Sequence, residues 1–117
     1  MEKSDIVAAL AALAQPSRLD AYRRLVEAGP LGMPAGEVAA ALGLPPNTLS
    51  FHFDRLRHAG LVSVRREGRS MIYAARFDTM NALLGFLTDK CCGGEPAKCL
   101  TAARAPRKQR ARQKIDA

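Results

Sequence analysis

The sequence predicts a mainly α-helical fold with one small β-hairpin: about five helices and a two-stranded ribbon. Three observations carry that expectation. Apolar residues recur at helical spacing through successive stretches, Gly and Pro punctuate the chain between them, and residues 61–66 and 70–75 read as strands around Glu67-Gly68-Arg69. A chain of 117 residues, 48% of them apolar, has room for one domain and enough apolar surface to give it a core.

The elements follow in order. Ile6, Leu10 and Leu13 recur at helical spacing until Gln15-Pro16 interrupts them. Pro16 can open a second helix, where Leu19, Tyr22, Leu25 and Val26 form one apolar face, and Gly29-Pro30 ends it. A short helix is expected over residues 34–42, closed by Gly43. Pro45-Pro46 then forces a turn, and a further helix runs to about residue 59 before Gly60 stops it. After the hairpin, a last helix over roughly residues 78–90 places Met80, Leu83, Leu84 and Leu87 on one side. Periodicity is lost from Cys91 onward. The expected organisation is a domain over 1–90, a cysteine-bearing segment over 91–100 and a disordered basic tail over 101–117.

Charge narrows the function. The net charge is +7, and residues 101–117 hold six basic residues against one acid, so most of the excess lies there. Such a balance points to an anionic partner, either nucleic acid or an acidic membrane surface. Aromatic residues make up 5% of the chain and Trp is missing, which is thin for stacking on single strands. No apolar run is long enough to span a bilayer. Residues 6–14 are apolar and end in Ala12-Leu13-Ala14, but Met1-Glu2-Lys3-Ser4-Asp5 carries two acids against one base. A secretory leader would begin positive, so a first helix is the better reading. The 3 cysteines are odd in number and two are adjacent, unlike a disulfide framework, and a reducing cytoplasm fits them.

Two short helices joined by a tight turn and followed by a hairpin give a winged helix-turn-helix order. On the second helix of that pair, Leu49, Phe53 and Leu56 form a narrow stripe suited to a core. Asn47, Phe51, Asp54 and His58 lie opposite, flanked by Thr48, Ser50, Arg55 and Arg57. Short polar groups near the start of a helix and bases further along suit a major groove of double-stranded DNA. Phe51 is apolar yet faces outward, where it can pack on a thymine methyl or close the motif against the neighbouring helix. His52 falls nearer the core edge, which suits a structural role better than base reading, although it stays among the candidate contacts. In the hairpin, Arg65-Arg66-Glu67-Gly68-Arg69 gathers three guanidiniums, and Arg66 and Arg69 are candidates for phosphate or minor-groove contact.

The segment Leu49-Ser50-Phe51-His52-Phe53-Asp54-Arg55-Leu56-Arg57-His58-Ala59-Gly60-Leu61-Val62 closely resembles the recognition helix of the ArsR/SmtB repressors. Ala14-Gln15-Pro16-Ser17-Arg18-Leu19 is similar to the start of their second helix, and Arg66-Glu67-Gly68-Arg69 through Tyr73 to their wing. The resemblance covers roughly residues 5–90. It implies a homodimer joined through the first and last helices, and repression of an operator relieved when an ion binds.

Cys91, Cys92 and Cys99 stand in Cys-Cys-Gly-Gly-Glu-Pro-Ala-Lys-Cys, directly after the last helix. Thiolates select soft ions, and Gly93, Gly94 and Pro96 let the segment fold back on itself. Three sulfurs without a histidine suit a pyramidal ion such as As(III) or Sb(III), acting as inducer, whereas structural zinc usually takes four protein ligands. The sequence departs from the best-known arsenic-sensing pattern of the family, which puts cysteines at the start of the recognition helix, since residues 34–46 contain none. It also lacks the last-helix histidines of the family's zinc sensors, because its two histidines are His52 and His58. Sensing of thiol oxidation or of Cd(II) or Pb(II) is the nearest alternative, and a constitutive nucleic-acid-binding module is another. No nucleophile–base constellation favours an enzyme, and a redox site would more naturally show Cys-x-x-Cys.

Overall fold

Helix-compatible stretches, broken where proline or glycine cannot continue them, give five α-helices and three short strands among the described residues. The computed structural model describes residues 1–95. In chain order these are α1 (Lys3–Leu13), α2 (Pro16–Ala28), β1 (Met33–Pro34), α3 (Ala35–Leu42), α4 (Pro46–His58), β2 (Val62–Glu67), β3 (Ser70–Ala75) and α5 (Phe77–Leu87). A single 3₁₀ turn follows at Cys91–Gly94. By internal contacts the chain divides into Met1–Leu83 and the remainder, so α5 begins in the first unit and ends in the second.

Local chemistry explains the boundaries. The Gln15 side chain accepts a hydrogen bond from the Arg18 amide at 2.7 Å and caps α2, while Pro16 occupies the first turn where its missing N–H costs nothing. Gly43 ends α3 in the left-handed conformation, at φ 67° and ψ 31°. The Leu44 amide then bonds back to the Ala39 carbonyl at 3.0 Å, which closes the helix and turns the chain toward α4. Pro45 and Pro46 set the start of α4 directly after that turn.

The core of the first unit gathers one stripe from each helix. Ile6 and Ala9 of α1, Tyr22 and Leu25 of α2, Val38 of α3, and Leu49, Phe53 and Leu56 of α4 are all buried. Leu61 and Leu83 complete the cluster. The inward face of α1 is Ile6, Ala9 and Ala12, and Leu10 is exposed. Small alanines let the helix pack closely at positions where a search for large apolar residues finds nothing. Leu19 on α2 is likewise exposed. Val7 and Leu10 leave an apolar strip open on α1, and Leu84, Phe86 and Leu87 do the same on the end of α5.

The sheet has three antiparallel strands in the order β1-β3-β2, one more than the expected ribbon. β2 and β3 pair from Val62↔Ala75 to Glu67↔Ser70 around the two-residue turn Gly68-Arg69. The added strand, β1, pairs Met33 with Tyr73 and Pro34 with Ile72. Just before it, Gly32 has φ +76°, and a Cβ there would lie 2.2 Å from the Tyr73 carbonyl oxygen. The strand can approach β3 only because residue 32 has no side chain.

Replacing Gly32 with alanine should accordingly cost about 2–4 kcal/mol, from left-handed strain plus overpacking. Denaturant unfolding of Gly32→Ala beside Gly36→Ala checks this. Gly36 has open space around it, and its substitution should be tolerated.

Candidate nucleic-acid interface

The faces of α4 divide as helical geometry requires. Leu49, His52, Phe53 and Leu56 point into the core, and Asn47, Ser50, Phe51, Asp54, Arg55, Arg57 and His58 are exposed, with Thr48 half-buried between them. Phe53 stacks on Tyr73 of β3, with ring centroids 4.2 Å apart and planes 26° from parallel. That contact ties the helix to the hairpin, and the exposed face of α4 and the hairpin tip belong to one compact unit.

Hydrogen bonds sort the exposed polar groups. Arg57 Nη2 donates to Asp54 Oδ1 at 3.0 Å, which neutralises part of that flank. His58 Nδ1 donates to the Asp54 carbonyl at 2.8 Å. Asn47 Oδ1 accepts from the Thr48 amide at 3.0 Å. In the hairpin, Arg65 pairs with Glu67 at 2.7 Å, so the expected three-guanidinium tip is smaller than the sequence suggests. Arg66 Nε donates to the Gly68 carbonyl at 3.1 Å, and Arg69 has no carboxylate partner among the described residues. The cations left to face an anion from this side are Arg55, Arg66 and Arg69.

His52 does not fit the set of outward contacts. It is 7% exposed, the one polar residue buried in the described core, and burial removes it from any direct approach of a base. Its Nδ1 lies 3.5 Å from Arg18 Nη1, at the limit of a hydrogen bond. Desolvation, followed by the positive charge of Arg18, holds its pKa below the ordinary imidazole value, so it is neutral at pH 7. Phe51 faces outward, as its place on the helix requires. It is 54% exposed, meets His52 edge-on at 5.8 Å, and has the Arg55 guanidinium 5.3 Å above its ring. Rather than closing against α3, it lines a groove of about 560 Å³ between α4 and α1, together with Ala8, Ala11, Arg18, Arg55 and His58.

The cysteine segment is described in part. Cys91 is half-buried and Cys92 exposed, and Lys90 and Cys92 adopt positive φ of 57° and 56°. Cys99 and residues 101–117 lie outside the described residues. Among the described residues no three His, Cys, Asp or Glu side chains group as metal ligands. The last helix ends at Leu87, short of the expected residue 90, so a three-residue turn, 88–90, separates the helix end from Cys91.

A family model described as a helix-turn-helix domain matches residues 13–65, from the end of α1 into β2. Nodulation protein NolR of Rhizobium meliloti is 36% identical over 89 residues, covering 75% of this chain and 70% of that protein. The HTH-type transcriptional regulator YgaV of Escherichia coli is 31% identical, covering 73% of this chain and 84% of the relative. The solution structure of a homodimeric winged helix-turn-helix DNA-binding domain of Mycobacterium bovis, a possible ArsR-family regulator, superposes with a TM-score of 0.60 at 26% identity. It covers 79% of this chain and 85% of that one. The chain belongs to the ArsR family of winged helix-turn-helix transcriptional regulators. In this ArsR-family protein α3 and α4 form the helix-turn-helix and β2–β3 the wing. The signal that sequence reasoning passed over is Arg18, whose place beside α4 depends on the α1–α2 turn and not on any local motif.

The neutral core histidine has a pH signature. An unfolded chain protonates it near pH 6.5, and the folded chain only at lower pH, so its contribution to stability is present above about pH 6.5. That contribution is lost as pH falls toward the folded value. In thermal or urea unfolding, the stability lead of wild type over His52→Gln should therefore shrink from pH 7.5 to pH 5. A lead that grows on acidification would mean that His52 is charged in the folded protein.

Proposed function

We propose that this protein is a homodimeric transcriptional repressor that binds a pseudo-palindromic duplex through α4 and the wing and is released by As(III) or a similar soft ion. The observation that carries the DNA reading is the outward face of α4, polar near its start and basic further on, held against the wing by the Phe53–Tyr73 stack. With α4 in the major groove, Asn47, Thr48, Ser50 and Phe51 would meet base edges and Arg55, Arg66 and Arg69 phosphates, while Arg57 would have to exchange its Asp54 partner for one. The dimer reading is supported by the open apolar strips on α1 and on the end of α5, which need a partner surface, and by the homodimeric state of the M. bovis domain. Two copies of one recognition helix would read half-sites about one helical turn apart.

The ion reading rests on donor chemistry. Three cysteines within nine residues, and none elsewhere, offer a thiolate set for a soft three-coordinate ion. Positive φ at Cys92, Gly93 and Gly94 bends the chain tightly after Cys91. Ligation requires loss of thiol protons, so ion affinity should weaken as pH drops. An ion bound beyond α5 would bias the dimer between two arrangements that differ in recognition-helix spacing.

Two experiments test the halves separately. Arg69→Ala should weaken binding to all duplexes and lower the salt slope by about one, whereas Ser50→Ala should relax discrimination at one base position. Unchanged affinity and slope in Arg69→Ala would remove the wing from the interface. For the sensor, Cys91→Ser/Cys92→Ser/Cys99→Ser should bind the operator as wild type does and no longer release it with excess arsenite under reducing conditions. Release of the triple variant by arsenite would place the sensor elsewhere, and release of wild type only by an oxidant would make it a thiol-redox switch.

A further inference from the structure

The α1–α4 groove contains an arginine that neither the recognition helix nor the wing supplies. Arg18 comes from the first turn of α2, and two contacts fix its half-buried side chain. Nε donates to the Ala12 carbonyl at 2.6 Å, and Nη1 reaches His52 Nδ1 at 3.5 Å. Its remaining N–H groups have no acceptor among the described residues. A partly buried cation normally has a counter-charge, because desolvation otherwise works against it. Among the described residues none is present within ion-pair distance. The groove is lined by alanines, Phe51, Arg55 and His58 but by no carboxylate, and the Asp54 and Glu67 carboxylates are taken by Arg57 and Arg65. The neutral imidazole beneath Arg18 supplies no negative charge.

The groove thus has cations along one side, a floor of small side chains, and a volume of about 560 Å³. It runs along the Phe51-Arg55-His58 flank of α4. A helix seated in a major groove has a sugar–phosphate strand along each flank, so the anion that meets this flank is a phosphodiester.

We infer that Arg18 is a DNA-backbone ligand: with Arg55 it receives a phosphodiester in the α1–α4 groove, although it belongs to neither α4 nor the wing. The inference rests on the DNA-binding reading above. A guanidinium already held by Ala12 and His52 gives up less side-chain freedom on binding than an exposed wing arginine, and its fork suits two phosphate oxygens. It carries no base information. Its contribution is to register and affinity.

Full-length protein titrated with operator and with unrelated duplex, across a range of salt, tests this. Arg18→Gln should lose about tenfold in affinity for both duplexes in similar proportion. Its salt slope should fall by about one, while Arg18→Lys keeps most of the slope. Arg23→Gln, an exposed change on the same helix that removes only an ion pair with Glu27, should leave both unchanged. If Arg18→Gln fails to fold, Ala8→Glu takes its place. It sets a carboxylate at the exposed wall of the same groove, and should weaken both duplexes most strongly at low salt. An Arg18→Gln protein that melts like wild type and keeps the full salt slope overturns the inference, and so does full binding by Ala8→Glu. If Arg69→Ala lowers the slope in the same series, the DNA-binding reading survives that result. Failure of wild type to bind any duplex ends both. A third arm uses inorganic phosphate alone. Thermal stabilisation of wild type but not of Arg18→Gln, with the duplex slope unchanged, would assign the groove to a small free anion and overturn the DNA assignment.

Discussion

The Phe53–Tyr73 stack is the contact on which the rest of the binding surface depends. Phe53 sits at the centre of the inward stripe of α4, completely buried, and its ring lies on a residue of β3. Tyr73 in turn is flanked on both sides by strands: it pairs with Met33 of β1 and with Val64 of β2. Recognition helix, wing hairpin and the short strand before α3 therefore converge on two rings. A site built from two separate elements needs them held in a fixed relation, since small misplacement is costly in contacts that must fit a regular duplex.

Polar groups are disposed around this apolar centre in a consistent way. Acids on the outer surface are matched locally, Asp54 with Arg57 and Glu67 with Arg65, over three and two residues. Among the described residues, the arginines left without a carboxylate are Arg18 on α2, Arg55 on α4, and Arg66 and Arg69 in the hairpin. Exposed pairs of this kind add little to stability. Their effect here is to neutralise Arg57 and Arg65 and leave those other arginines without a paired acid.

Much of this was legible in the sequence, for identifiable reasons. Pro16, Gly43, Pro45-Pro46 and Gly60 mark boundaries through backbone restrictions that tertiary structure rarely overrides, and the helices begin and end close to them. Leu49, Phe53 and Leu56 gave the inward side of α4 because large apolar residues at that spacing leave one solution. The remainder was hidden for physical reasons too. β1 is two residues long, too short for any period, and its pairing depends on Gly32 coming close to a carbonyl forty-one positions later in the chain. The inner face of α1 is drawn by Ala9 and Ala12, which carry little hydrophobic signal, while the more conspicuous Leu10 faces out. His52 and Arg18 acquire their roles from each other across 34 residues, and no local pattern in either segment anticipates that meeting.

The placement of the aromatic rings has a spectroscopic consequence. The chain has no Trp and only 2 Tyr, so its intrinsic ultraviolet emission comes from Tyr22 and Tyr73 alone. Tyr22 is inside the helical core, and Tyr73 is the ring against Phe53. Neither stands on the outward face of α4. Tyrosine fluorescence of this protein is thus an indicator of the scaffold behind the binding surface: loosening of α4 from the sheet would change it, whereas a ligand settling on a rigid outer face would leave it nearly still.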